Sequence, residues 1–152
     1  MRKRSRAGVI GIGAMGKNHA RVYSQLPDVE LIGVADVNQN LVASVAQSYD
    51  CKPYADYHDL LGENLDAVSI VVPTTLHKKV ALDAIKKGIN VLVEKPIADT
   101  VENADEMMEA SRDSRVKLMV GHVERFNPAI IKLKELIDNG LLGDENRPTL
   151  LR

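Results

Sequence analysis

Cys51 is the only cysteine in the 152 residues. That excludes an intramolecular disulfide and a cysteine-based zinc site, and no metal is expected. An excess of either charge is missing too: 20 Lys and Arg stand against 21 Asp and Glu, a net charge of −1. Without bulk basicity the chain has no broad attraction for nucleic acid or for an anionic membrane. The one local cluster, Arg2, Lys3, Arg4 and Arg6, reads as a solvated end ahead of the first strand rather than a nucleic-acid arm. No run approaches the ~20 apolar residues of a membrane span. The basic start does meet an apolar run, but Gly8, Gly11 and Gly13 interrupt it, so a secretory leader is not expected and a cytoplasmic protein is. Internal repeats of short period and low-complexity tracts are absent. What remains is ordinary for a globular chain, 45% hydrophobic and 27% charged, with length for one domain but not two full ones.

The informative stretch is Val9-Ile10-Gly11-Ile12-Gly13-Ala14-Met15-Gly16. An apolar run from Ala7 leads into three glycines spaced G-x-G-x-x-G, and a helix from about Met15 to Gln25 follows. The first glycine permits the tight strand-to-helix turn and the second leaves room for a pyrophosphate. The third lets helix and strand pack closely while unpaired N–H groups face the anion. Asp36 closes the second apolar run, 20 residues beyond Gly16, the spacing at which a carboxylate accepts the adenosine ribose hydroxyls. No arginine or lysine follows it in Val37-Asn38-Gln39-Asn40, so nothing there would compensate a 2′-phosphate. The pattern favours NAD over NADP.

Apolar runs of strand length alternate with segments of helical period along the chain. Strands are expected near Ala7 to Gly11, Glu30 to Ala35, Lys52 to Ala55, Ala67 to Val72, Asn90 to Val93 and Val116 to Val120. Helices are expected from Asn38 or Asn40 to Ser48, around Tyr57 to Leu61, from Thr75 or Leu76 to Lys87, and from Asp99 or Thr100 to Ser114. A last helix has Asn127 as cap, Pro128 at its first position and Gly140 beyond its end. Strands this short joined by helices of ten or more residues predict an α/β fold, a doubly wound, mostly parallel sheet of Rossmann type. Residues 1–140 are read as one dinucleotide-binding domain and 141–152 as the start of a linker.

In such a sheet, ligands sit outside the carboxyl ends of the strands. The residues there are Gly11 to Gly16, Asp36, Pro73-Thr74-Thr75, Glu94-Lys95-Pro96 and Gly121-His122, and they are expected to converge on one crevice. A lysine at a strand end beside a nicotinamide can hydrogen-bond a substrate hydroxyl and stabilise the developing alkoxide, which makes Lys95 the catalytic candidate. The plainer alternative is a surface lysine paired with Glu94. A cis bond before Pro96 would re-aim the Lys95 side chain. His77, at a helix start, could contact the nicotinamide ribose or relay a proton, or be plain polar surface. In Gly121-His122-Val123-Glu124-Arg125-Phe126-Asn127-Pro128 the only phenylalanine stands among charged residues. Phe126 there could simply staple a helix entry that Asn127 caps.

Taken together, Gly11-Ile12-Gly13-Ala14-Met15-Gly16, Ala35-Asp36, Pro73-Thr74-Thr75-Leu76-His77 and above all Glu94-Lys95-Pro96 resemble the Gfo/Idh/MocA family of sugar dehydrogenases, from about Ala7 to Gly140. The resemblance implies NAD as cofactor, Lys95 as the catalytic lysine and Asp36 as the ribose ligand. It places Ile12, Ala14, Met15, Pro73, Thr74, Thr75, His77, Glu94 and Pro96 on the cofactor side. Within the family, Val120 to Ala129 looks most like 3-dehydrogenases of the UDP-N-acetylglucosamine type, which would put His122, Arg125 and Asn127 near the substrate or nicotinamide.

Family members run to about twice this length, and their second domain supplies most substrate contacts and the oligomer interface. The resemblance therefore implies the cofactor domain of a dehydrogenase for a sugar or nucleotide-sugar, inactive alone and homo-oligomeric in any full-length form. The alternatives are a non-catalytic NAD-binding sensor or regulatory subunit, and a cofactor domain that pairs with a separately encoded substrate subunit.

Overall fold

The computed structural model describes residues 3–141. Six strands, β1 (Ser5–Ile10), β2 (Val29–Ala35), β3 (Lys52–Tyr54), β4 (Ala67–Ile70), β5 (Asn90–Val93) and β6 (Leu118–Val120), form one sheet in the order β3-β2-β1-β4-β5-β6. Every pairing is parallel. The order reverses direction beside β1, so the crevice of a doubly wound sheet opens above β1 and β4. The α/β fold expected from the sequence is the one found.

The strands supply both faces of the sheet, and a register shift beside Gly8 puts Leu31 and Val34 of β2 on one face and Ile32 and Ala35 on the other. Val9 and Val34 join Ile12, Leu31, Val42 and Val45 in one core, with α1 (Ala14–Gln25) and α2 (Gln39–Ser48) over it. Ile10, Ile32 and Ala35 join Val68, Ile70, Val80, Ile85 and Met107 in the other. That face is covered by α3 (Tyr57–Leu60), α4 (His77–Lys86) and α5 (Val101–Asp113).

Several boundaries depart from the expected ones for local reasons. β1 begins at Ser5, so Arg6 belongs to the strand; its Nε donates to the Asn64 carbonyl. β4 stops at Ile70 rather than Val72, because its neighbours' registers end there, at Ile10 on one side and Val93 on the other. β6 starts at Leu118 rather than Val116. The Val116 N–H instead closes α5 by donating to Ser111 O at 3.1 Å, after Arg115 has taken a positive φ of 55°. α5 is capped by Thr100, whose side chain accepts the Asn103 N–H, while Asp99 holds the Asn103 amide.

The backbone divides into two compact units, one ending at Gly121 and one beginning at His122. Among the described residues of the second unit lie a 3-10 turn, Val123–Phe126, and α6 (Pro128–Asp138). Asn127 caps α6 with Pro128 at its first position, and Gly140 follows at φ 69°. The stretch read as a linker, 142–152, lies outside the described residues. Among the described residues, no helix is long and apolar enough to cross a membrane.

Candidate functional site

The glycine-rich loop joins β1 to α1. Gly11 takes φ 88° and sits so close to the end of β4 that a Cβ would lie 2.4 Å from Val71 O. A Cβ on Gly16 would lie 1.8 Å from Gly11 O, so the loop and the first turn of α1 close on each other only with hydrogen there. At Gly13 a Cβ would meet nothing within 4 Å. Gly13 is also the N-cap, and the first helical bond runs from Lys17 N–H to Gly13 O. The N–H groups of Ala14, Met15 and Gly16 therefore precede the helix's own hydrogen bonding, at its positive end. Gly13, Ala14 and Met15 are exposed. This is an anion cradle of backbone donors, and it fits a dinucleotide's pyrophosphate.

Beside the loop lies a cleft of about 420 Å³, lined by Gly11, Gly13, Asp36, Val37, Tyr57, Pro73, Leu76 and neighbouring residues. The half-buried Asp36 presents a carboxylate at its edge. Oδ2 accepts the Ile12 N–H at 2.7 Å and Oδ1 accepts the Asn38 N–H at 2.9 Å. The floor is apolar (Ile10, Ala35, Val71, Val72), as an adenine ring requires. Thr74 and Thr75 stand in the 3-10 turn that follows Pro73.

His77 is placed differently from either sequence reading. Its ring is buried, 1% exposed, with Nδ1 3.0 Å from Pro96 O and Nε2 2.9 Å from Val72 O. It ties the loop after β4 to the loop after β5 rather than facing the cleft or lying on the surface.

Lys95 follows β5, two strands from the glycine-rich loop and so about 10 Å across the sheet. Its side chain is exposed, and the Lys95–Pro96 bond is cis. The ion pair with Glu94 that would make it plain surface is not formed. Glu94 is 7% exposed and turns inward, where Oε1 meets His19 Nε2 at 3.0 Å and Oε2 accepts the Lys95 N–H at 3.1 Å. His19 Nδ1 lies 3.0 Å from Ser69 Oγ, itself 2.7 Å from Tyr23 Oη. The chain is satisfied throughout if Tyr23 donates to Ser69, Ser69 to His19, and His19 to Glu94. Gly121 closes the end of the group: its Cβ would stand 3.2 Å from Glu94 Oε1.

The sequence reading missed His19, Tyr23 and Ser69. Two signals were available. His19 and Tyr23 stand four apart on α1 and share one face, and Ser69 is the one polar residue in Ala67-Val68-Ser69-Ile70-Val71-Val72. His122, Arg125 and Asn127 belong to the second unit. Asn127 Oδ1 accepts the Ala129 N–H and Nδ2 donates to Glu124 Oε2. Phe126 is 68% exposed.

A family profile, GFO_IDH_MocA, described as an oxidoreductase family with an NAD-binding Rossmann fold, matches residues 5–122. The chain belongs to the Gfo/Idh/MocA family. It is 38% identical over 130 residues to the UDP-N-acetylglucosamine 3-dehydrogenase of Acidithiobacillus ferrooxidans, covering 86% of this chain and 41% of that protein. The solved structure of that enzyme superposes with a TM-score of 0.81. The myo-inositol 2-dehydrogenase of Thermotoga maritima is 32% identical, over 97% of this chain and 44% of its own. The Bordetella pertussis WlbA dehydrogenase, solved with NADH and UDP-GlcNAcA, superposes with a TM-score of 0.84 at 28% identity, covering 91% of this chain and 43% of its own. The chain thus spans about two fifths of the relatives it matches, and what it spans is the family's NAD-binding Rossmann domain.

Proposed function

We propose that this Gfo/Idh/MocA chain is the cofactor-binding part of a dehydrogenase that oxidises a hydroxyl of a sugar or nucleotide-sugar, and that it binds NAD without turnover by itself. The observation that carries the reading is the pairing of an anion cradle at Gly13 to Gly16 with an exposed lysine two strands away, at the same carboxyl edge of the sheet. Bound nicotinamide supplies the carbon that accepts the hydride. Ala14, Met15 and Gly16 hold the diphosphate through backbone N–H groups, and Asp36 accepts the adenosine ribose hydroxyls. Lys95 Nζ takes the proton of the reacting hydroxyl and then hydrogen-bonds the same oxygen as the hydride leaves the carbon. Pro73, Thr74, Thr75 and Pro96 form the rest of the cofactor wall, with His77 and Glu94 as braces beneath it. His122, Arg125 and Asn127 serve the substrate side. The remaining substrate contacts and the homo-oligomer interface belong to a further domain or a separate subunit, in the cytoplasm.

NADH is expected to bind the chain in a fluorescence titration, and NADPH at least tenfold more weakly, because the 2′-phosphate would face the Asp36 carboxylate. Equal affinities would sink the assignment of Asp36.

A further inference from the structure

We propose that Asp36 is a brace of the glycine-rich loop, so that its carboxylate shapes the diphosphate cradle before any cofactor arrives. The inference rests on the cofactor reading above and adds a second role to the same side chain. The bond from Ile12 N–H to Oδ2, 2.7 Å long, joins the loop to the end of β2 across 24 residues. Ile12 stands between Gly11 and Gly13 and has no exposed surface. Its N–H, deprived of Asp36, would be a buried donor without a partner. Oδ1 meanwhile holds Asn38 N–H at 2.9 Å, fixing the turn into α2. Hydrogen bonds from N–H to a carboxylate are among the stronger ones. An ionised carboxylate has about four acceptor positions, so two N–H bonds leave lone pairs for the ribose hydroxyls. Both roles are held at once. Replacing Asp36 to admit a 2′-phosphate removes the brace as well, so the change lowers affinity for both cofactors instead of exchanging one for the other.

A cycle of protein variant against ligand separates the two roles. ADP carries a diphosphate and both ribose hydroxyls, whereas 2′,3′-dideoxy-ADP carries the diphosphate alone. In calorimetric titrations of the full chain, Asp36→Ala is expected to weaken 2′,3′-dideoxy-ADP by about tenfold. A carboxylate that met only hydroxyls predicts the opposite sign, because removing a negative charge near a diphosphate tightens binding. Unchanged or tighter binding overturns the proposal. Asp36→Asn keeps one acceptor oxygen and is expected to fall between. Without ligand, amide exchange at Ile12 should quicken about tenfold in Asp36→Ala, while Val9 in β1 stays protected; an unchanged rate at Ile12 overturns the brace. Should Asp36→Ala cost Val9 its protection, the comparison moves to Asp36→Asn and is decided there. If the unaltered chain binds neither ADP nor NADH, the cofactor reading fails, and exchange at Ile12 still decides the brace.

Discussion

Gly13 and Gly16 are chemically identical and physically opposite. At Gly16 a Cβ would collide with backbone at 1.8 Å, whereas at Gly13 it would project into open space. Gly13 has φ −65°, an angle any residue adopts. Gly13→Val is therefore expected to leave the melting temperature nearly unchanged while abolishing NADH binding; retained affinity would mean that the diphosphate does not approach there. Gly16→Ala is expected to fail as a fold instead. Cys51 offers a second test at this scale. Burial, with Asp50 adding to it, pushes its thiol up to about 11. At pH 8 about one thiol in a thousand is ionised, so iodoacetamide should label the folded chain slowly and the denatured chain fast, as read by intact mass. Rapid labelling of the folded chain would contradict the burial.

Among the elements, α1 is tied at two places: its first turn by the glycine loop, its middle by His19 and Tyr23 to Ser69 and Glu94. His19→Ala would strand the inward Glu94 carboxylate and is expected to cost about 1–3 kcal/mol in urea unfolding. His19→Gln, which can still donate, should recover part of the loss. Surface carboxylates also add a modest, screened contribution to stability in mild acid. Asp56 accepts the His58 N–H and Asp99 the Asn103 amide, and both are held below the usual carboxylate range. Glu63, which accepts from Tyr54 and then Lys52, is lowered likewise. Folded values below unfolded ones stabilise the chain above roughly pH 4–5. That contribution is lost as pH falls through the lowered values, so acid melts should show stability declining from about pH 4 downward. Most elements were legible because each carries its own period and caps. The misplaced edges, at Ile70 and Val116, depend on where a neighbouring strand ends or which N–H a helix end claims, and neither is written locally.

For the whole molecule, the decisive fact is that the chain covers about two fifths of its relatives. The reaction is therefore tested in a longer protein that contains it. There Lys95→Ala is expected to lower kcat at least a hundredfold with NAD affinity nearly unchanged. A selective loss of NAD affinity would make Lys95 a cofactor residue instead. The sequence alone determined the doubly wound sheet, the glycine-rich turn from β1 into α1 and the acid at the end of β2, because glycine spacing, hydrophobic period and strand ends are properties of contiguous residues. Only the tertiary structure decided that His77 turns inward, that Glu94 pairs with His19 rather than with the Lys95 side chain, and that Asp36 grips Ile12. Those arrangements rest on bonds such as His77 to Pro96, His19 to Glu94 and Ile12 to Asp36, between residues 19 to 75 apart in the chain, and which polar atom meets which depends on how helix and loop pack once the sheet has formed.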